Sequence, residues 1–127
     1  MLTTILAAAL MLQAAPDAPA PQAVFDLDSL LVAQATAARC AIAFATVSRW
    51  QKSGEARGSA YPDMETTGGR EFFVQAMAQL MDAANLTRED VVALSLRELD
   101  ANSTPEGEAR LSAMMPACLM MKSAAGL

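Results

Sequence analysis

Two cysteines, Cys40 and Cys118, are the only ones in the chain, and they stand far apart behind an apolar N-terminal run. In an oxidising compartment a pair like this forms a disulfide. Closing a loop of about 80 residues stabilises a fold by roughly 4 to 5 kcal/mol in the chain-entropy model. The alternative is two buried free thiols acting as small hydrophobes. No Cys-x-x-Cys pattern is present, so the bond reads as structural and not as a redox centre.

The N-terminus bears on the compartment. Ile5 to Leu12 is uncharged and apolar. It is shorter than the about 20 residues that a membrane span needs and suits the apolar region of a signal peptide. Small residues follow at Ala14 and Ala15, and a cut after Ala14 avoids placing Pro16 next to the scissile bond. The n-region Met1-Leu2-Thr3-Thr4 has no Lys or Arg, so only the terminal amine supplies positive charge there. The expected division is a signal peptide at 1–14, an Ala/Pro-rich tether at 15–23 and a helical domain at 24–127. The expected location is periplasmic. Alternating Ala and Pro in the tether favours an extended, solvated chain.

The formal net charge of −5 is scattered, with no basic stripe. Nucleic acid and anionic membrane surfaces call for clustered Lys and Arg, so neither is an expected partner. Ala, Leu and Met are abundant and are strong helix formers. The expected class is all-α, a four-helix bundle-like domain with one disulfide between its first and last long helices.

The first long helix is expected from Asp26 or Asp28, either able to cap it, to about Lys52. From Cys40 to Val47 nearly every residue is apolar, which marks a central helix touched on several sides. A connection from Gly54 to Gly69 follows. Connections of about 15 residues are usually functional or disordered. Tyr61-Pro62-Asp63-Met64 suggests a turn that docks on the core, although a plain flexible link is the favoured reading. The second helix is expected over 70–84. The third is expected from a Thr87 cap with Asp90 in a capping box and Leu86 stapled to Val91. Val92, Leu96 and Leu99 then continue its apolar stripe to about Ala101. The fourth opens with Thr104, Pro105, Glu106 and Glu108, all favoured at helix starts. Leu111, Met114, Met115, Cys118 and Met121 form its buried side, and Pro116 predicts a kink.

The chain contains no His, which removes the commonest general base and metal ligand. No phosphate-binding glycine loop or calcium loop is present. The expectation is a non-enzymatic protein without a cofactor. A carboxylate enzyme using Asp63, Glu65 or Glu71 is a remote alternative that needs one raised pKa. Met114, Cys118 and Met121 lie at i, i+4 and i+7, and soft sulfur ligands select Cu(I). A copper binder is therefore a second alternative, although Met is also ordinary filler of helical cores. Trp50, Arg57 and Tyr61 form the candidate partner-binding residues, since interfaces favour aromatics with Arg. The favoured reading of Trp50 itself is that it closes the end of the core.

The segments Arg39-Cys40-Ala41, Gly69-Arg70-Glu71-Phe72-Phe73-Val74, Leu80-Met81-Asp82, Leu86-Thr87-Arg88-Glu89 and Pro116-Ala117-Cys118-Leu119 resemble those of uncharacterised small secreted proteins of Gram-negative bacteria. That resemblance implies export and a helical fold and brings no activity. In build alone the chain is similar to the small periplasmic acid-stress chaperones of the HdeA type. That likeness is one of an exported helical protein with two cysteines in one disulfide, and it carries over no functional residue. The expected function is binding a protein partner or acting chaperone-like in the envelope.

Overall fold

The computed structural model describes residues 25–127. The signal peptide and tether expected at 1–23, and residue 24, lie outside the described residues. Those described are all-helical, with four α-helices and no strand: α1 (Val32–Lys52), α2 (Gly69–Ala84), α3 (Arg88–Asn102) and α4 (Pro105–Ala124). No helix among them is long and apolar enough to cross a membrane.

The long apolar run of α1 makes it the centre of the fold. Five consecutive residues, Cys40 to Phe44, are all buried. Five residues at about 100° each go more than once around a helix, so α1 has neighbours on every side. It packs against α2, α3 and α4. Ala41 and Ala43 are wholly buried, and their small side chains allow helices to lie close on opposite sides. The Phe44 and Phe72 rings meet edge to face at 5.3 Å and 77°, a contact worth about 1 kcal/mol beyond the area it buries.

The disulfide joins α1 to α4. Cys40 and Cys118 are bonded, with Cα atoms 5.2 Å apart, and both are buried. Leu111, Met115, Cys118 and Lys122 form the buried side of α4, a spacing of four, three and four residues that keeps one face inward. The helix continues through Pro116, which is exposed, as is Ser112 one turn earlier. The carbonyl that Pro116 leaves without an amide partner therefore faces solvent, where water satisfies it.

The start of α1 differs from the expectation. Asp26 accepts from the Asp28 amide at 2.9 Å and caps a separate 3-10 turn, Leu27–Ser29, that tucks Leu27 into the core. Leu30 is extended with ψ 164°, so helix cannot propagate through it. α1 begins only at Val32, without a side-chain cap. The stripe on α3 is also rotated. Val91, Leu94 and Ser95 are buried, while Val92 and Leu96 are about half exposed at 50% and 57%. The cap itself stands as expected. Thr87 accepts from the Asp90 amide, and the Asp90 carboxylate accepts from the Thr87 amide at 2.8 Å.

α4 starts very close to the end of α3. Thr104 caps it by accepting from the Gly107 amide at 3.1 Å. A Cβ on Gly107 would lie 1.7 Å from the Ala101 carbonyl oxygen, so only glycine permits this approach. Asn102 donates to the Thr46 hydroxyl at 3.1 Å, and Thr46 donates to the Ile42 carbonyl at 2.8 Å. Asn102 and Thr46 are thus paired between α1 and α3, while the buried Ser95 hydroxyl of α3 has no hydrogen-bond partner among the described residues.

Two stability predictions follow from these contacts. Replacing Cys40 and Cys118 together by Ala should lower unfolding stability by about 4 kcal/mol in the chain-entropy model. Urea unfolding of the double variant and of the reduced parent measures this, and an unchanged midpoint would refute it. The second concerns acid. The backbone and side-chain hydrogen bonds from Thr87 hold the Asp90 carboxyl below its ordinary value, and those from Thr66 do the same to Asp63. A depressed folded pKa gives stability that is fully present above the unfolded value of about 4 and lost as pH falls through the folded value. The thermal midpoint of the parent should drop across that acid window. The drop should be smaller in the Asp63→Asn/Asp90→Asn variant, and equal drops would count against the assignment.

Candidate functional site

The connection between α1 and α2 is neither a plain link nor a solvated coil. A 3-10 turn, Ala56–Ala60, follows Gly54, and the segment after it is fastened to one side chain. The two N–H groups of the Gln51 amide are shared among three carbonyls, those of Gly58 at 3.0 Å, Pro62 at 2.9 Å and, more distantly, Tyr61 at 3.3 Å. The Gln51 side-chain oxygen accepts from the Met64 amide at 3.0 Å. Gln51 thereby satisfies backbone groups that a loop folded against protein would otherwise leave unpaired. Met64 is buried in the core. Asp63 then organises a turn by accepting from the Thr66 amide at 2.9 Å and from the Thr66 hydroxyl. The buried Lys122 of α4 donates to the Thr67 carbonyl. Gly68 takes a left-handed φ of 82° to swing the chain into α2.

This fastening sets a groove between the C-terminal half of α1 and the start of α2. Ala45, Ser48, Arg49 and Lys52 stand at i, i+3, i+4 and i+7 on α1 and face Gly69, Arg70 and Phe73 of α2, with Phe44 beneath. The groove encloses about 540 Å³, within the usual size of ligand sites. Its floor is apolar and its rim carries Arg49, Lys52 and Arg70. Arg49 and Arg70 make no ion pair among the described residues, while Lys52 pairs with Glu65 on the connection. The positive end of the α2 dipole lies at Gly69 and Arg70 and adds to the positive potential. In an acidic chain this is a local concentration of cations, two of which make no ion pair among the described residues.

Trp50 is 1% exposed. It closes the end of the core, and the guanidinium of Arg57 lies 4.3 Å from its ring centroid. Arg57 also bonds Glu55 at 2.7 Å and Glu108 at 3.1 Å, so its cation is engaged by two carboxylates and an aromatic face. Tyr61 is half-buried against the core. These three residues gather at the far end of α1, where they join the connection to the start of α4.

The sulfur atoms are separated in role. Cys118 is consumed by the disulfide. Met114 borders a crevice with Ile42, Asp28 and Arg110, and Met121 borders another with Phe72 and Ala37. No group of three or more His, Cys, Asp or Glu placed to hold a metal occurs among the described residues. Of the candidate acids, Glu65 lines the groove, but the Lys52 hydrogen bond and charge hold its carboxyl below the ordinary value. Asp63 is held down likewise. Acid catalysis requires the opposite shift.

Sequence reading missed Gln51, Arg70 and the groove itself. The α1 half was accessible as a polar face at helical spacing, but its pairing with Arg70 depends on where α2 lands. The chain matches no protein-family model, no curated protein and no solved structure.

The Gln51 fastening makes a prediction. Gln51→Ala should destabilise the fold by about 2 kcal/mol, since several backbone groups lose a partner at once. Amide hydrogen exchange should accelerate at Met64 and Gly69 before it does in α3. Uniform protection across the variant would show that Gln51 does not hold the connection.

Proposed function

We propose that this chain is an exported, non-enzymatic helical protein of the cell envelope that acts by binding a protein partner, chaperone-like, through the groove between α1 and α2. One observation carries the reading. The groove sets an apolar floor of Ala45 and Phe73, with the buried Phe44 beneath, beside Arg49 and Arg70, which make no ion pair among the described residues. Interface cores favour aromatics and Arg in this combination. The disulfide supports an oxidising compartment, because cytosolic thiols are kept reduced. The apolar run and small residues at the N-terminus support export.

The test is site-specific photo-crosslinking in intact cells. A crosslinking residue at Ser48, inside the groove, should trap a discrete protein partner. The same residue at Ala113, on the exposed side of α4, should not. Arg49→Glu/Arg70→Glu should abolish the adduct without altering the circular dichroism spectrum, since both side chains are exposed. No adduct from Ser48, or equal adducts from both positions, would overturn the proposal.

A further inference from the structure

We infer that the groove selects acidic, apolar segments of its partner by reading carboxylate side chains, and that Glu65 of the connection sits in it as a built-in competitor. The inference rests on the groove being the partner site and adds what the site recognises.

The rim holds Arg49, Lys52 and Arg70, and Glu65 is the only acid among the described residues that line the groove. One carboxylate therefore faces three cations, in a chain with 14 Asp and Glu against 9 Lys and Arg. Arg49 and Arg70 project from different helices, and the planar guanidinium groups suit carboxylate geometry. Two further carboxylates would balance the rim.

A carboxylate contact of this kind is already present in the groove. Glu65 pairs with Lys52 and lines the same groove as Arg70. The chain thus shows at its own expense what the rim accepts, namely a carboxylate held beside an apolar floor. This occupant is displaceable. The Lys52 and Glu65 side chains are 64% and 43% exposed, and ion pairs so open to water contribute little. Glu65 also lies just outside α2, so its withdrawal breaks no helix. A partner segment with acidic side chains flanking apolar ones would place the apolar groups on Ala45 and Phe73, with the buried Phe44 behind them. Its carboxylates would take Arg49 and Arg70 first and contest Lys52 with Glu65.

The experiment is a two-dimensional NMR titration of the oxidised chain with three short synthetic peptides, alternating leucine with glutamate, with glutamine or with lysine. The glutamate peptide should move the amides of Ser48, Arg49, Lys52 and Arg70 and bind about tenfold more tightly than the glutamine peptide. Glu65→Gln should tighten the glutamate peptide about threefold. Arg49→Ala/Arg70→Ala should weaken it about tenfold. Equal affinity for the glutamate and glutamine peptides at the groove would overturn the carboxylate selectivity and leave the groove as a partner site. Unchanged affinity in Glu65→Gln would overturn the competitor role. No shift at the groove with any peptide would remove the groove reading as well.

Discussion

Everything in this fold is arranged around the complete burial of one turn and a half of α1, from Cys40 to Phe44. A helix hidden on all sides cannot be stabilised by one partner face. It needs α2, α3 and α4 together, and each of them contacts α1. The disulfide adds a covalent tie at the same level, between Cys40 and Cys118. Small residues make the arrangement possible. Ala41 and Ala43 let neighbours approach, and Phe44 fills the space toward α2 against Phe72. For a domain of about 100 residues, whose core is necessarily limited, concentrating burial on one helix and bridging it covalently is an economical solution.

The groove is a consequence of that arrangement at the end of α1 where burial stops. Beyond Val47 the helix alternates between Trp50, turned inward, and Arg49 and Lys52, turned out. The connection could have covered this outward face. Gln51 instead draws it toward Gly58, Tyr61 and Pro62, and Met64 anchors it in the core. Lys122 reaches from α4 to hold Thr67. The face bearing Ala45, Ser48, Arg49 and Lys52 is left open opposite Arg70 and Phe73. The side chains that fix the connection thus also determine that a cationic groove exists, without lining it themselves.

Much of the fold was legible because its signals are local. The Thr87 and Asp90 capping box and the Thr104, Pro105 start of α4 depend on residues within one turn. The helix ends near Lys52, Ala84 and Asn102 follow the same logic. Local signals also misled. Asp26 and Asp28 looked like caps of a long helix, yet Asp26 caps only a three-residue turn because Leu27 is pulled into the core. Val92 and Leu96 looked like core, yet Leu94 and Ser95 face inward. On a helix with apolar residues on two faces, the neighbours decide which face is buried.

By itself the sequence determined that the chain is helical, where its caps lie, and that two cysteines on apolar helix faces were available to pair. These follow from propensity and from interactions no longer than a helical turn. Only the tertiary structure decided that Cys40 and Cys118 come within bonding reach, that Trp50 lies under Arg57, and that Gln51 organises the connection. It also decided that Arg49 and Arg70, on different helices, share one groove. Each of these depends on the packing of segments distant in the chain around a buried α1, and no pattern confined to a few neighbouring residues encodes where those segments meet.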